Sequence, residues 1–182
     1  AYEILTCDWS SDVCSSDLKY PSAQVVGFDF HKESIEQARK RAEAAGLSDR
    51  VRFSVEAAKD FNGAGYDLVT TFDCLHDMTQ PTRMVSTIKS SLKDDGTWLL
   101  VDIKAHDSFS MNATKNPMAP LMYGISVLSC MSSAMSTADG AGLGTLGLSA
   151  GTAEQMARDA GFSSFRRLDV DHAVNAFYEI RP

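Results

Sequence analysis

Between positions 23 and 103 the chain alternates short apolar runs with amphipathic stretches, and few folds accept that rhythm. AQVVGFDF (23–30) is a continuous apolar run ending near an acid, the pattern of a strand buried on both faces of a parallel sheet. KESIEQARKRAEAAG (32–46) sets Ile35, Ala38 and Ala42 at helical spacing and stops on Gly46. VRFSVEAA (51–58) and YDLVTTFD (66–73) read as the next two strands. A helix over 82–92 opens after Pro81 and closes near Asp94, Asp95 and Gly96, and TWLLVDI (97–103) follows as a fourth strand. Strands and helices in this order imply an α/β fold, a parallel sheet covered on both faces by its crossover helices.

After Ile103 the rhythm lapses into a segment rich in Met, Ser and Gly. It resumes with a helix over 152–162, stopped at Gly161, and two closing strands near 164–170 and 173–180. Met111, Met118, Met122, Met131 and Met135 fit packing, and methionine also suits an adaptable apolar pocket. Residues 107–150 are accordingly expected to form a substrate lid. The apolar stretch 117–135 is interrupted by Pro117, Pro120 and several serines, whereas a membrane span needs about 20 mostly apolar residues. No membrane association is expected, and with no secretory leader the expected location is the cytoplasm.

The chain has 182 residues, the size of one domain, and a net charge of -7 from 17 basic and 24 acidic residues. That balance argues against a nucleic-acid face, which needs clustered Lys and Arg. The four cysteines, at 7, 14, 74 and 130, show neither a CxxC pair nor metal-ligand spacing, so reduced thiols and no metal are expected.

The first eighteen residues differ from the rest. They hold two of the cysteines, no Lys or Arg, and no strand or helix period. CDWSSDVCSSDL (7–18) matches, without a break, one translated frame of a short-read sequencing adapter. Residues 1–18 are therefore treated as foreign and 19–182 as the domain. Without Glu3, Asp8, Asp12 and Asp17, the remainder holds 17 basic and 20 acidic residues, a net of -3.

Three features bear on chemistry. In an open parallel sheet ligands sit at the carboxyl ends of the strands, where Asp29 stands. Its carboxylate suits two vicinal ribose hydroxyls; equally, it precedes a helix and suits an N-cap. His76 with Asp77 has the composition of a proton acceptor and an orienting acid. Neighbours on a helix point apart, so a direct pair is not expected, and a loop histidine bonding backbone is the alternative. His106 and Tyr123 are further polar candidates, assigned to substrate. Gly142, Gly144 and Gly147 spell GxGxxG, but MSTADGA before them is no strand, so the motif is read as loop.

GFDFHKESIEQAR, YDLVTTFDCLHDM, LKDDGTWLLVDI and AGFSSFRRL, in that order, resemble class I S-adenosylmethionine-dependent methyltransferases, in particular bacterial members whose methyltransferase domain follows a winged-helix domain. The resemblance covers 19–182. It implies a Rossmann-like sheet with an antiparallel closing strand pair, S-adenosylmethionine as cofactor, a small-molecule methyl acceptor, and a homodimer formed through an N-terminal domain. Carried over, Asp29 holds the ribose with Phe30 beside the adenine. Lys59, Asp60 and Phe61 occupy the adenine-contact segment, with Ala58 where many members have an acid. Phe72 and Asp73 line the methionine moiety, and His76 falls at the histidine of a leucine-histidine pair and is the catalytic candidate.

One departure is large. The family's first strand and glycine-rich loop belong upstream of Lys19, where the adapter-like peptide stands, and the first glycine of the chain is Gly27. Only glycine lets backbone approach the cofactor closely there. The first strand and its loop are thus expected to be missing and the chain to lack cofactor affinity, activity belonging to the intact parent. The rival readings are half of a nicotinamide-dependent oxidoreductase, since Asp29 also fits that ribose, and a non-catalytic regulator that keeps the fold.

Overall fold

The structure, a computed structural model, describes residues 22–29, 31–56 and 63–182 in full and the backbone of 3–7. Seven strands form one sheet in the order β3-β2-β1-β4-β5-β7-β6. They are β1 (Glu3–Cys7), β2 (Gln24–Asp29), β3 (Val51–Val55), β4 (Tyr66–Phe72), β5 (Leu92–Ile103), β6 (Ser164–Arg167) and β7 (Asn175–Arg181). The first five in the row from β3 to β5 run parallel, while β7 lies antiparallel between β5 and β6. The expected parallel sheet with an antiparallel closing pair is what forms.

The centre of the sheet, where the first strand was expected to be missing and either a hole or an unnatural filler to stand, holds a strand from the first eighteen residues. Glu3–Cys7 fills it, with Leu5 opposite both Val26 of β2 and Val69 of β4. Apolar Ile4 and Leu5 with β-branched Ile4 and Thr6 give this short run the composition of a strand, in a slot whose two neighbours offer unpaired ladders. The absent glycine loop is a separate matter: residues 8–21, where it was sought, lie outside the described residues.

Helix α1 (Lys32–Ala44) buries Ile35 and Ala42 and ends at Gly46, whose φ of +69° is a left-handed stop. Helix α2 (Pro81–Ser91) starts on its proline, with Met84, Val85 and Ile88 facing the sheet. The expected break at Asp94 to Gly96 falls inside β5 instead. Leu92 pairs with Tyr66 and Thr97 with Leu68, so residues 93–96 bulge opposite Asp67. Lys93 Nζ donates to Asp67 Oδ1 at 2.8 Å across that bulge. A Cβ on Gly96 would stand 2.9 Å from the Tyr66 carbonyl oxygen, so the bulge admits only glycine there.

Helices α3 (Phe109–Lys115), α4 (Ala119–Ile125), a π turn (Ser126–Cys130) and α5 (Met131–Ala134) occupy the segment expected to be a lid. Helix α6 (Ala150–Asp159) is capped by Ser149, which accepts from Thr152 N, and Gly161 at φ +88° ends the turn after it. The larger core lies between α2, α6 and the β4–β5–β7 side of the sheet. At its centre Trp98 is fully buried, and its Nε1 donates to Thr71 Oγ1 at 2.9 Å.

Candidate active site

The parallel strands deliver acids to one end of the sheet. Asp29, at the end of β2, accepts from His31 N at 2.5 Å; His31, not Asp29, is the N-cap of α1, and no side chain caps that helix. At the end of β4 Asp73 adopts φ +48°, alone among non-glycines of the described residues in the left-handed region, a strained backbone of the kind that clusters at functional sites. Its N–H donates to Val101 O at 2.9 Å, and its Oδ1 accepts from Asn175 Nδ2 at 2.5 Å. Strands β4, β5 and β7 are thereby tied together at their site ends.

His76 lies in the 3-10 turn Leu75–Asp77 just beyond, and is buried. Its Nδ1 stands 2.6 Å from Oδ1 of Asp102, a buried acid near the end of β5. The same oxygen accepts from Ile103 N at 2.8 Å, while Asp102 Oδ2 is buried with no partner. On the other side Nε2 lies 3.1 Å from Asp77 Oδ1. The adjacent pair that was not expected therefore forms, in a single turn just past the end of β4. Burial alone would push the His76 pKa down. Hydrogen bonding to Asp102 and then Asp77 outweighs it and raises the value to about 11, so the ring is an imidazolium in the resting chain. Asp77 is held below its ordinary range: burial opposes this, but the contact with His76 and a hydrogen bond from the Cys130 thiol prevail.

Residues 141–145 pack against this turn. Gly144 N donates to His76 O and Ala141 N to Thr79 O, while Thr145 Oγ1 donates to Cys130 Sγ at 2.9 Å. His76, Asp77 and Cys130 bring ligand-type atoms within 4.8 Å of one another, which their sequence spacing did not foretell. The GxGxxG glycines lie in a loop between α5 and α6, not between a strand and a helix, and Gly142 and Gly144 take left-handed φ there.

His106 is tied at both its backbone polar groups to buried Asn112, through N to Oδ1 at 2.8 Å and Nδ2 to O at 3.1 Å. It also lines a cavity of about 330 Å³ at the end of β5. Tyr123 packs on Phe109, ring centres 5.1 Å apart, and does not line that cavity. Phe72 ends β4, half-buried. Phe30, Ala58, Lys59, Asp60 and Phe61 fall outside the described residues.

Sequence reasoning missed Asp102, Asn112, Asn175 and Cys130. Asp102 had a signal: it is the acid closing the apolar run TWLLVDI, placed like Asp29 at the end of AQVVGFDF. The others had none, since each becomes functional only through contacts made across the fold.

The sheet order, with five parallel strands and β7 inserted antiparallel between β5 and β6, defines a Rossmann-like fold. A family model described as a methyltransferase domain matches residues 10–161, and the chain belongs to that family. A ubiquinone biosynthesis O-methyltransferase of Actinobacillus pleuropneumoniae serotype 5b is 27% identical over 101 residues, covering 52% of this chain and 42% of that protein. An O-methyltransferase family protein from Burkholderia thailandensis superposes with a TM-score of 0.76 at 18% identity, over 100% of this chain and 51% of that one. Human N-acetylserotonin methyltransferase, solved with S-adenosylmethionine, does so with a TM-score of 0.70 at 14% identity, over 98% and 47%. The chain thus spans about half the length of these relatives or less. No helix among the described residues is long and apolar enough to cross a membrane.

Proposed function

We propose that this domain transfers the methyl of S-adenosylmethionine to an oxygen of a small-molecule acceptor, with His76 taking the acceptor's proton. The observation that carries the reading is the buried His76–Asp102 contact of 2.6 Å at the carboxyl ends of β4 and β5. A carboxylate on Nδ1 fixes the tautomer and leaves Nε2 as the nitrogen that exchanges a proton. The O-methyltransferase relatives support oxygen as the acceptor atom.

When bound, S-adenosylmethionine supplies an electrophilic sulfonium methyl. Asp29 at the end of β2 suits its ribose, and Phe72 and Asp73 at the end of β4 its methionine part. Phe30, Lys59, Asp60 and Phe61 are the adenine contacts that the resemblance implies. In the resting chain Nε2 is held as a cation by Asp77, whose side chain is about one-third exposed. An acceptor hydroxyl that displaces Asp77 lowers the proton affinity of Nε2; the proton Nε2 carries then leaves to solvent by way of the partly exposed Asp77, and the neutral ring faces the acceptor O–H. The remaining rate enhancement comes from alignment and exclusion of water under the 107–150 lid, where Tyr123 and His106 are the substrate-side candidates. We place the protein in the cytoplasm, in keeping with Cys74 and Cys130, both free thiols. The homodimer that the resemblance implies completes this reading.

The adapter-like reading of residues 7–18 enters the test directly. Titration with S-adenosylhomocysteine is compared between the chain as it stands and one whose residues 1–18 are exchanged for the strand and glycine-rich loop of a methyltransferase relative. The exchanged chain binds, and the original binds at least about tenfold more weakly. In the exchanged chain, His76→Gln lowers kcat for a phenolic acceptor about 10²- to 10⁴-fold while S-adenosylhomocysteine affinity holds. If neither chain binds S-adenosylhomocysteine, the protein is a regulator that keeps the fold and the reading fails.

A further inference from the structure

The cavity at the end of β5 carries a charge unlike that of the chain around it. The protein is acidic, with a net charge of -7, yet Lys104, Lys115 and Arg167 all line this one space, with His106 beside them and no Asp or Glu in the lining. Its volume of about 330 Å³ falls within the range of small-molecule sites. Ile103, Met122 and Val174 supply an apolar wall.

The walls are built by specific bonds. Lys104 N donates to Val174 O at 2.8 Å, and Lys104 Nζ donates to the carbonyl oxygen of His172. His172 Nδ1 accepts in turn from Asn175 N at 2.8 Å, so the turn leading into β7 is folded onto the cavity's edge. Two of the neighbouring acids are engaged elsewhere. Asp107 Oδ1 lies at the first turn of α6, 3.0 Å from where a Cβ on Gly151 would stand. Glu179 is engaged by Arg166 at 3.1 Å and Arg181 at 3.2 Å, which keep its carboxyl below the ordinary range. Arg167, next in sequence to Arg166, and Lys115 pair with no carboxylate among the described residues.

Three like charges around a concave space repel one another, and a concave boundary focuses their field on whatever enters. An anion relieves the repulsion, and an arginine fork matches a carboxylate with two parallel hydrogen bonds. We propose that this cavity is a binding site for a small organic anion: a carboxylate on an apolar or aromatic body, its charge toward Arg167 and Lys115 and its body on the Met122 wall. The cavity shares His106 with the proposed acceptor side, but binding of an anion needs neither cofactor nor methyl transfer, so its test is separate from that of the function proposed above.

The test uses the whole chain, titrated calorimetrically with benzoate and with its neutral isostere benzamide. Benzoate binds at least about tenfold more tightly than benzamide, and added salt weakens it. Arg167→Gln and Lys115→Gln each weaken benzoate about fivefold, and the pair together more, while circular dichroism stays unchanged because both side chains are at the surface. Arg166→Gln, one residue away but outside the cavity, leaves benzoate binding as it was. Equal affinity for benzamide, no measurable benzoate binding, or the same loss in Arg166→Gln as in Arg167→Gln overturns the proposal.

Discussion

The two sides of the sheet are built to different standards. On the β2–β3 side a small cluster of Ala23, Val25, Ala42, Leu47 and Val51 packs the strands against α1, most of whose surface is exposed. On the β4–β5–β7 side, 16 buried residues from strands, α2 and α6 form one continuous core around Trp98. The acids at the strand ends follow the same division. Asp29 on the thin side accepts from the backbone N–H of His31 at the start of α1, whereas Asp102 on the thick side is paired to a buried histidine. Rigid packing thus lies under the groups proposed above to exchange a proton. The proposed cofactor side is left to backbone and loop, in keeping with a ligand that must enter and leave.

The largest effect expected from this asymmetry is at Trp98. Trp98→Ala empties the middle of the thick side and strands Thr71 Oγ1, so it costs about 3–5 kcal/mol in denaturant unfolding. Val25→Ala in the thin cluster removes two methyl groups and costs about 1.5–2 kcal/mol. Trp98→Phe, which fills most of the space, tests whether the loss is volume: it costs about 1–2 kcal/mol, chiefly the lost hydrogen bond. Equal losses at Trp98 and Val25 would show that the division into thick and thin sides has no energetic meaning.

The two strand-end aspartates give the next contrast. Asp102→Asn removes the charge opposite a buried imidazolium and costs about 3 kcal/mol. Asp29→Asn keeps an acceptor for His31 N and costs about 0.5–1 kcal/mol. Both are read from urea midpoints at pH 7 with m unchanged.

How far this arrangement was legible in the sequence follows from where the information sits. Strands β2 and β4 and helices α1 and α6 are local: apolar runs and glycine stops specify them without reference to the rest. Gly96 was read as a terminator because a glycine beside two aspartates usually ends an element. Here the ladder to β4 resumes past it, and the glycine serves a bulge. Strand β1 was hidden because two apolar residues beside a foreign-looking peptide carry no period, and only the neighbouring strands make them a strand. His76 was found by its motif, but its partner lies 26 residues away, and nothing short of the β4–β5 pairing brings the two together.

The remaining effect belongs to the thick side and is read from the pH dependence of stability. His76 has a folded-state pKa above its unfolded value of 6.5, so it binds its proton more tightly when folded. The stability this contributes is complete below pH 6.5 and is lost progressively as pH rises toward about 11. Asp77 works in the opposite sense: its lowered pKa contributes stability above its ordinary 3.8 that disappears as pH falls through the folded value. Asp77→Asn removes one of the two carboxylates facing the ring, so the His76 pKa falls and less stability remains to be lost on the alkaline side. Unfolding free energies at pH 6 and pH 9 then differ less in Asp77→Asn than in the unmodified chain. At pH 6 the variant is weaker by about 1 kcal/mol, modest because Asp77 is partly exposed. A variant with the same alkaline slope as the unmodified chain would leave Asp102 alone holding the proton on His76, and Asp77 would no longer be the group an acceptor must displace.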